Sequence, residues 1–219
     1  MSAAPRKKSS ETPLSRERIV HTALELVDRD GLPALSMRRL GAELGVDPMA
    51  VYYHVPNKDA LLDAIVEAVM ADIDLTVDIP TDPAEERLVC AARAYRDAML
   101  AHANALPIVL SRGPRTPVSM RPVELLIGIL RDAGLPPSRA MAGMNAIAAT
   151  VRGTVAMVAD DAAAPPTAEE LTELSEQFPA DEFPRLREAA MCPTDFLNED
   201  FEFGVRALAR GLLGDADKV

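Results

Sequence analysis

Apolar residues recur at helical spacing along most of the chain, and between residues 14 and 74 four helix starts interrupt them. Ile19, Val20, Ala23, Leu24, Leu26 and Val27 share one face of a segment from about 15 to 30, which Gly31 ends. A second segment, about 36 to 43, stops at Leu44-Gly45. The third runs from Pro48 to His54 and the fourth over about 57 to 74. Ser15, Ser36, Asp47 and Asn57 each precede one of these segments, where a side-chain oxygen can accept from backbone N–H groups that lack a helical partner. Leu14 with Ile19, Leu35 with Leu40 and Val46 with Val51 form apolar pairs across three of the starts, the pattern of a hydrophobic staple. Pro48 stands at the first helical position, where its missing N–H costs nothing.

The rest of the chain reads as helix too. Asp82-Pro83-Ala84-Glu85 is a cap, a first-turn proline and an acid opening a helix to about 102, with Leu88, Ala91, Ala92, Tyr95, Ala98 and Met99 facing inward. A shorter helix is expected over about 104 to 111. Arg112 to Pro122 holds three prolines and a glycine and predicts a loop, followed by a helix from Pro122 to Ala133 that Gly134 ends. Thr167 to Glu170 is a capping box, whereas 160 to 166 and 178 to 193 predict mobile loops. Ala140 to Ala159 is apolar or small apart from Asn145, Thr150, Arg152 and Thr154. That length approaches a membrane span, yet most of the run is alanine and glycine, and Arg152 would be costly in lipid. A buried helix that lets a second helix approach closely fits better. After a Thr194 cap, the last helix carries apolar residues on more than one stripe, one for the core and one for a partner.

A short helix, a turn containing glycine and a second short helix make a helix-turn-helix, whose second helix enters the DNA major groove. If Val51 points inward, Met49, Ala50, Tyr52, Tyr53 and His54 are left to solvent or to DNA. Two tyrosines and a methionine are an odd choice for a solvated face but suit phosphate and base-edge contact, with Lys58 beside them at the next helix start. The alternative is that the tyrosines pack against the first helix.

The run Ile19 to Leu26, the segment Leu35-Ser36-Met37-Arg38-Arg39-Leu40-Gly41-Ala42-Glu43-Leu44-Gly45-Val46, and Val51-Tyr52-Tyr53-His54-Val55-Pro56-Asn57-Lys58-Asp59-Ala60-Leu61-Leu62 together resemble the DNA-binding domain of the TetR (tetracycline repressor) family. The resemblance implies an all-α homodimeric repressor: an N-terminal three-helix helix-turn-helix domain plus a larger helical effector-binding and dimerisation domain. It implies a division into a disordered basic tail (1–13), a DNA-binding domain (14–60) and a helical body (61–219). It further implies that Arg38, Met49, Ala50, Tyr52, Tyr53, His54 and Lys58 fall where relatives contact DNA, with Ser36 and Met37 near the backbone. Phe201 through Leu212 is similar to the family's final helix, so helices 137–159 and 194–213 are expected at a homodimer interface that sets two reading helices on a palindromic operator.

A net charge of −11 tests an operator-binding reading, since DNA is a polyanion. The charge is uneven: nine Lys or Arg stand against eight Asp or Glu through Asp59, and fourteen against twenty-six beyond it. Repulsion is thus concentrated far from the expected DNA surface, and Arg6, Lys7 and Lys8 in the tail can add nonspecific contacts. Cys90 and Cys192 stand apart without ligand-spaced neighbours, which argues against a disulfide framework or zinc site. Residues 1 to 13 lack an apolar stretch, so a cytoplasmic protein without a membrane anchor is expected.

An effector pocket would draw its walls from Met99, Leu106, Ile108, Val109, Leu126, Ile127, Leu130, Met144, Ile147, Val151 and Met157. His102, Asn104, Asn145, Thr150 and Arg152 are its candidate polar anchors. The alternative is that these residues simply fill a core. By resemblance, aligned from Tyr95-Arg96 and Val123-Glu124, the family namesake's metal-binding His and Glu fall on Val109 and Met157, neither of which can hold magnesium. Neither metal nor cofactor is expected, and an apolar organic molecule of unknown identity is the expected effector. An enzyme is the rival class, but His21, His54 and His102 lie on three helices with no nucleophile or acid at telling spacing. A helical adaptor without DNA binding would need a disrupted third helix. Activation rather than repression stays open, because the sign depends on where the operator lies.

Overall fold

The computed structural model describes residues 13–159, 165–192 and 194–214, and the regular elements among them are all helical. The basic stretch Arg6, Lys7 and Lys8 and residues 160–164 of the loop expected at 160–166 lie outside the described residues.

Four helices form the N-terminal part: α1 (Arg16–Asp30), α2 (Met37–Leu44), α3 (Pro48–His54) and α4 (Lys58–Ala71). Each begins on the expected cap. Ser15 accepts from the Arg18 N–H, Ser36 from Arg39, Asp47 from Met49 and Asn57 from Ala60. The inward faces predicted from periodicity are buried, with Ile19, Val27, Leu40, Val51, Leu61 and Ile65 fully enclosed.

The body contains α5 (Ala84–Ala101), α6 (Leu106–Arg112), α7 (Pro117–Asp132), α8 (Pro137–Ala159), α9 (Ala168–Glu176), α10 (Pro184–Ala190) and α11 (Phe201–Gly214). Four sequence expectations need correction. Pro83, not Asp82, occupies the cap position of α5, and no side chain caps that helix. The helix expected from Pro122 starts at Pro117, because Thr116 and Ser119 form a reciprocal capping box: the Ser119 N–H donates to Thr116 Oγ1 at 3.2 Å and the Thr116 N–H to Ser119 Oγ at 3.0 Å. Pro122 then lies inside α7, where a proline costs about 3 kcal/mol in a helix interior; the cap and the burial of its ring offset that cost. Within the loop expected at 178–193, Pro184 at the first turn starts α10. Finally, Asp195 rather than Thr194 caps the last helical run, accepting from Leu197 and Asn198, and a π-helical turn over Phe196–Asp200 precedes α11. Buried Arg96 explains part of this: its guanidinium takes the Leu197 carbonyl and lies 4.7 Å above the Phe201 ring.

One contiguous buried cluster runs from Ile19 to Ala209. Helix α4 packs on both α1 and α7, while α5 packs on α7, α8 and α11. By length and composition α8 could cross a bilayer, but it packs on α5, α7 and α11 with Ala140, Met144, Ile147, Val151 and Val155 buried. Gly143 permits the close approach, since a Cβ there would lie 3.0 Å from Leu130 and 3.1 Å from Leu212.

Charge pairs fasten α11 to α5. Arg206 holds Glu86 and, at 2.9 Å, Glu202; Arg210 holds Glu85 at 2.9 Å; and Arg93 holds Glu202 at 2.6 Å. Arg210 keeps the Glu85 carboxyl below its ordinary 4.5, and Arg206 does the same for Glu86 and Glu202. Lowered folded values mean that this stabilisation is present above the ordinary carboxylate pKa and is lost as pH falls through the folded values. Relative to their intrinsic exchange rates, α11 amides are therefore expected to lose protection as pH falls below the ordinary carboxylate value, ahead of those in α1. Equal loss in both helices would contradict the assignment.

Candidate functional site

The turn between α2 and α3 fixes the reading head. Gly45 is left-handed at φ +71° and its N–H reaches the Gly41 and Ala42 carbonyls, closing α2. The Val46 N–H also donates to the Gly41 carbonyl at 2.9 Å. A Cβ on Gly41 would stand 3.0 Å from the Val46 carbonyl oxygen and 3.2 Å from the Pro48 backbone, so no side chain fits without moving α3. Gly41→Val is expected to destabilise this head by about 1–3 kcal/mol and to abolish a gel shift. A melt by circular dichroism and the gel shift together check it, and an unchanged shift counts against the close approach.

Helix α3 buries Val51 completely and turns Met49, Tyr52 and Tyr53 outward at 64%, 40% and 89% exposure. Tyr53 therefore does not pack on α1. Ala50 is half-buried, while His54 and Arg38 are exposed. Ser36 is exposed, with its hydroxyl committed to the cap of α2. Met37 is buried, contrary to the expected DNA contact; one turn from Leu40, it follows the apolar stripe of α2 into the core. Lys58 Nζ donates to the Leu35 carbonyl at 3.0 Å, which ties the start of α4 to the entry of α2 and leaves its other N–H groups outward. Arg29 is neutralised by Asp30 and by Glu43 at 2.6 Å, and Arg39 by Asp30. Of the α2 cations, Arg38 has no ion-pair partner among the described residues.

A second concavity lies where α4, α5, α7 and α8 meet. It is a cavity of about 130 Å³, partly open to solvent, walled by Met70, Ile73, Leu75, Ala91, Val109, Pro114, Pro122, Val123, Leu125, Leu126, Met144 and Ala148, with Asp74, Tyr95, Asn145 and Arg152 as its polar groups. Of the residues expected there, Val109, Leu126, Met144, Asn145 and Arg152 meet on this wall. Met99, Leu130, Ile147 and Val151 are core residues off the cavity. Leu106 and Asn104 line a shallow groove with Leu32 and Pro33, and Met157 is 41% exposed on the outside of α8. Thr150 donates its hydroxyl to the Ala146 carbonyl. Burial pushes the Tyr95 phenol above its ordinary 10.0 while the Arg152 cation pulls it down, so the hydroxyl is a neutral donor at physiological pH.

His102 lies off this wall. Its Nδ1 is 2.8 Å from Asp28 of α1 and its Nε2 3.0 Å from Asp72 after α4, and Asn104 donates to the Asp28 carbonyl at 2.8 Å. At the other end of α4, Arg112 of α6 grips Asp59 at 2.5 Å and Asp63 at 2.8 Å. Helix α4 thus starts beside the reading head, ends at the cavity through Met70, and is clamped to the body at both ends.

Comparison with known proteins agrees with this arrangement. Residues 19–65 match the bacterial regulatory proteins of the tetR family, and residues 79–214 match the tetracyclin repressor-like C-terminal domain. The chain is 32% identical to the class A tetracycline repressor of transposon 1721 from Escherichia coli, covering 92% of this chain and 91% of that one. With the class C tetracycline repressor of Escherichia coli it shares 36% identity over 65% of each chain. Apo ActR from Streptomyces coelicolor superposes with a TM-score of 0.81 at 31% identity, covering 94% of this chain and 98% of ActR. Head and body both match over most of their length, and the chain therefore belongs to the TetR family of bacterial transcriptional regulators.

Proposed function

We propose that this regulator is a homodimeric repressor that holds a palindromic operator until an organic effector enters the cavity between α4, α5, α7 and α8. The observation that carries the reading is the course of α4. Its fourteen residues make a rod about 21 Å long, running from Lys58 at the head to Met70 at the cavity wall. A ligand that fits the cavity better for one tilt of this rod biases the spacing of the two heads, and only by that difference in affinity.

Operator contact falls to Arg38, Met49, Ala50, Tyr52, Tyr53, His54 and Lys58, with Ser36 offering the N-terminus of α2. Dimerisation falls to the outward faces of α8 and α11. Met141, Ala142, Ala149 and Gly153 on α8 and Phe203, Ala207 and Gly211 on α11 are all exposed in the single chain. Small residues there allow close helix approach, while Phe203 at 77% exposure is a large apolar group that a second copy would cover. Family regulators are soluble DNA-binding proteins, and a cytoplasmic location follows from operator binding.

For the effector, an apolar organic body suits the walls. Crystals of ActR hold actinorhodin or (S)-DNPA in a protein of the same fold, which supports an organic ligand here. Tetracycline with magnesium is not the ligand we favour, since Val109 stands on the wall, Met157 faces outward, and no histidine among the described residues lines the cavity. Gel shift of the purified protein on duplexes flanking its own gene tests the reading. A salt-sensitive shift that a panel of apolar organic compounds reverses is expected. No shift on any flanking duplex, or one that no compound reverses, would overturn it.

A further inference from the structure

Arg152 places a charge on the cavity wall with no acidic partner among the described residues. Its Nε donates to the Ala148 carbonyl at 3.1 Å, which leaves both terminal nitrogens unpaired among those residues. Elsewhere in the body, Arg87, Arg93, Arg112, Arg206 and Arg210 each hold a carboxylate. A cation beside apolar walls is costly unless a counter-charge meets it.

Tyr95 also lines the cavity and is only 7% exposed, yet its hydroxyl has no partner among the described residues. Arg152 lines that same cavity, and its charge acts on the phenol. Asn145, two turns before Arg152 on α8, adds an amide on the same helix face. Asp74, the acidic group of the wall, turns its Oδ1 to Thr76, accepting from the N–H at 2.8 Å and the hydroxyl at 2.6 Å, and forms no ion pair with Arg152. The Tyr95 hydroxyl and the Arg152 terminal nitrogens therefore belong to residues of one cavity wall, and no described residue accepts from them.

We propose that the effector is an amphipathic organic acid whose anionic oxygen group, a carboxylate, phenolate or enolate, sits between the Tyr95 hydroxyl and the Arg152 guanidinium. Its apolar body lies against Met70, Ile73, Leu126 and Met144. This rests on the reading of the cavity as the effector site. Charge-assisted donation by Arg152 gives affinity, and the neutral Tyr95 donor fixes the orientation of the anion. An uncharged amide still offers a carbonyl acceptor but forfeits the ionic attraction to Arg152, so the site discriminates against it.

Calorimetric titration of the full-length dimer with naphthoate and with its uncharged amide, naphthamide, tests this. Wild-type protein is expected to bind naphthoate about tenfold or more tightly than naphthamide. Arg152→Met should weaken naphthoate by about 10- to 100-fold, and Tyr95→Phe by about 3- to 10-fold, with naphthamide changed less than about twofold in both. Naphthoate preference surviving in Arg152→Met overturns the proposal, as does failure of wild-type protein to bind either compound. So does an Arg152→Met protein that becomes monomeric with its preference intact, because the counter-charge would then lie on the second copy. Protein that prefers naphthoate through Arg152 but shifts no operator duplex would instead refute the repressor reading and leave the acid site standing.

Discussion

Tyr52→Ala is expected to lower operator affinity by about thirtyfold or more while the proposed dimer and its thermal unfolding stay as they were. The side chain is 40% exposed on α3, beside fully buried Val51, so truncating it removes surface and leaves the core of the head untouched. A good contact to a base edge is worth about 1–3 kcal/mol. In the proposed symmetric dimer the loss is taken twice, about 2–6 kcal/mol in all, and tenfold in affinity corresponds to about 1.4 kcal/mol. Lys58→Ala serves as the companion, with a different signature. Its ammonium ties α4 to the Leu35 carbonyl and turns its remaining donors outward, so its loss weakens binding to every duplex and reduces the slope of log affinity against log salt by about one per lysine, two per dimer. Fluorescence anisotropy on operator and scrambled duplexes across a salt series separates the two. If Tyr52→Ala binds both duplexes as the wild type does, α3 does not read the operator.

The head was legible in the sequence because its determinants are local. Ser15, Ser36, Asp47 and Asn57 each act within three residues of their own position, and a cap or staple needs no knowledge of the rest of the chain. The start of α7 was not legible for a related reason. Its box uses serine at the third position instead of Glu or Gln, and three nearby prolines point to a loop although Pro117 is well placed at a first turn. Cavity residues are harder still. Periodicity places Leu126 and Leu130 on one inward face of α7, but it cannot tell which inward residue meets a neighbour and which meets a gap. Leu126 borders the cavity and Leu130, one turn on, is sealed in the core. Pro114, from the segment before α7, and Pro122 and Val123 within it complete the wall. The bridge from Asp28 through His102 to Asp72 spans 74 positions on one side and 30 on the other, and no short-range pattern announces it.

The second large effect concerns the pair rather than the head. Ala149→Glu is expected to leave a folded chain that sediments as a monomer and has lost operator binding by a hundredfold or more. Ala149 is exposed on α8, between Ala142 and Gly153 on the same outward stripe, and glutamate is a good helix former, so the isolated subunit has no reason to unfold. At the proposed two-fold interface one substitution adds a carboxylate to each copy among small residues, where burying them is costly. Without the partner, each head binds a half-site alone and forfeits the effective concentration, in the millimolar range for a tethered second site, that the dimer supplies. The introduced carboxylate would not touch α1 to α3, so their hydrogen-exchange protection should match the wild type's. Sedimentation velocity and anisotropy on the same preparation give the answer. A variant that remains dimeric, or a monomer that binds operator as tightly as the dimer, would show that α8 and α11 do not bring the two heads together.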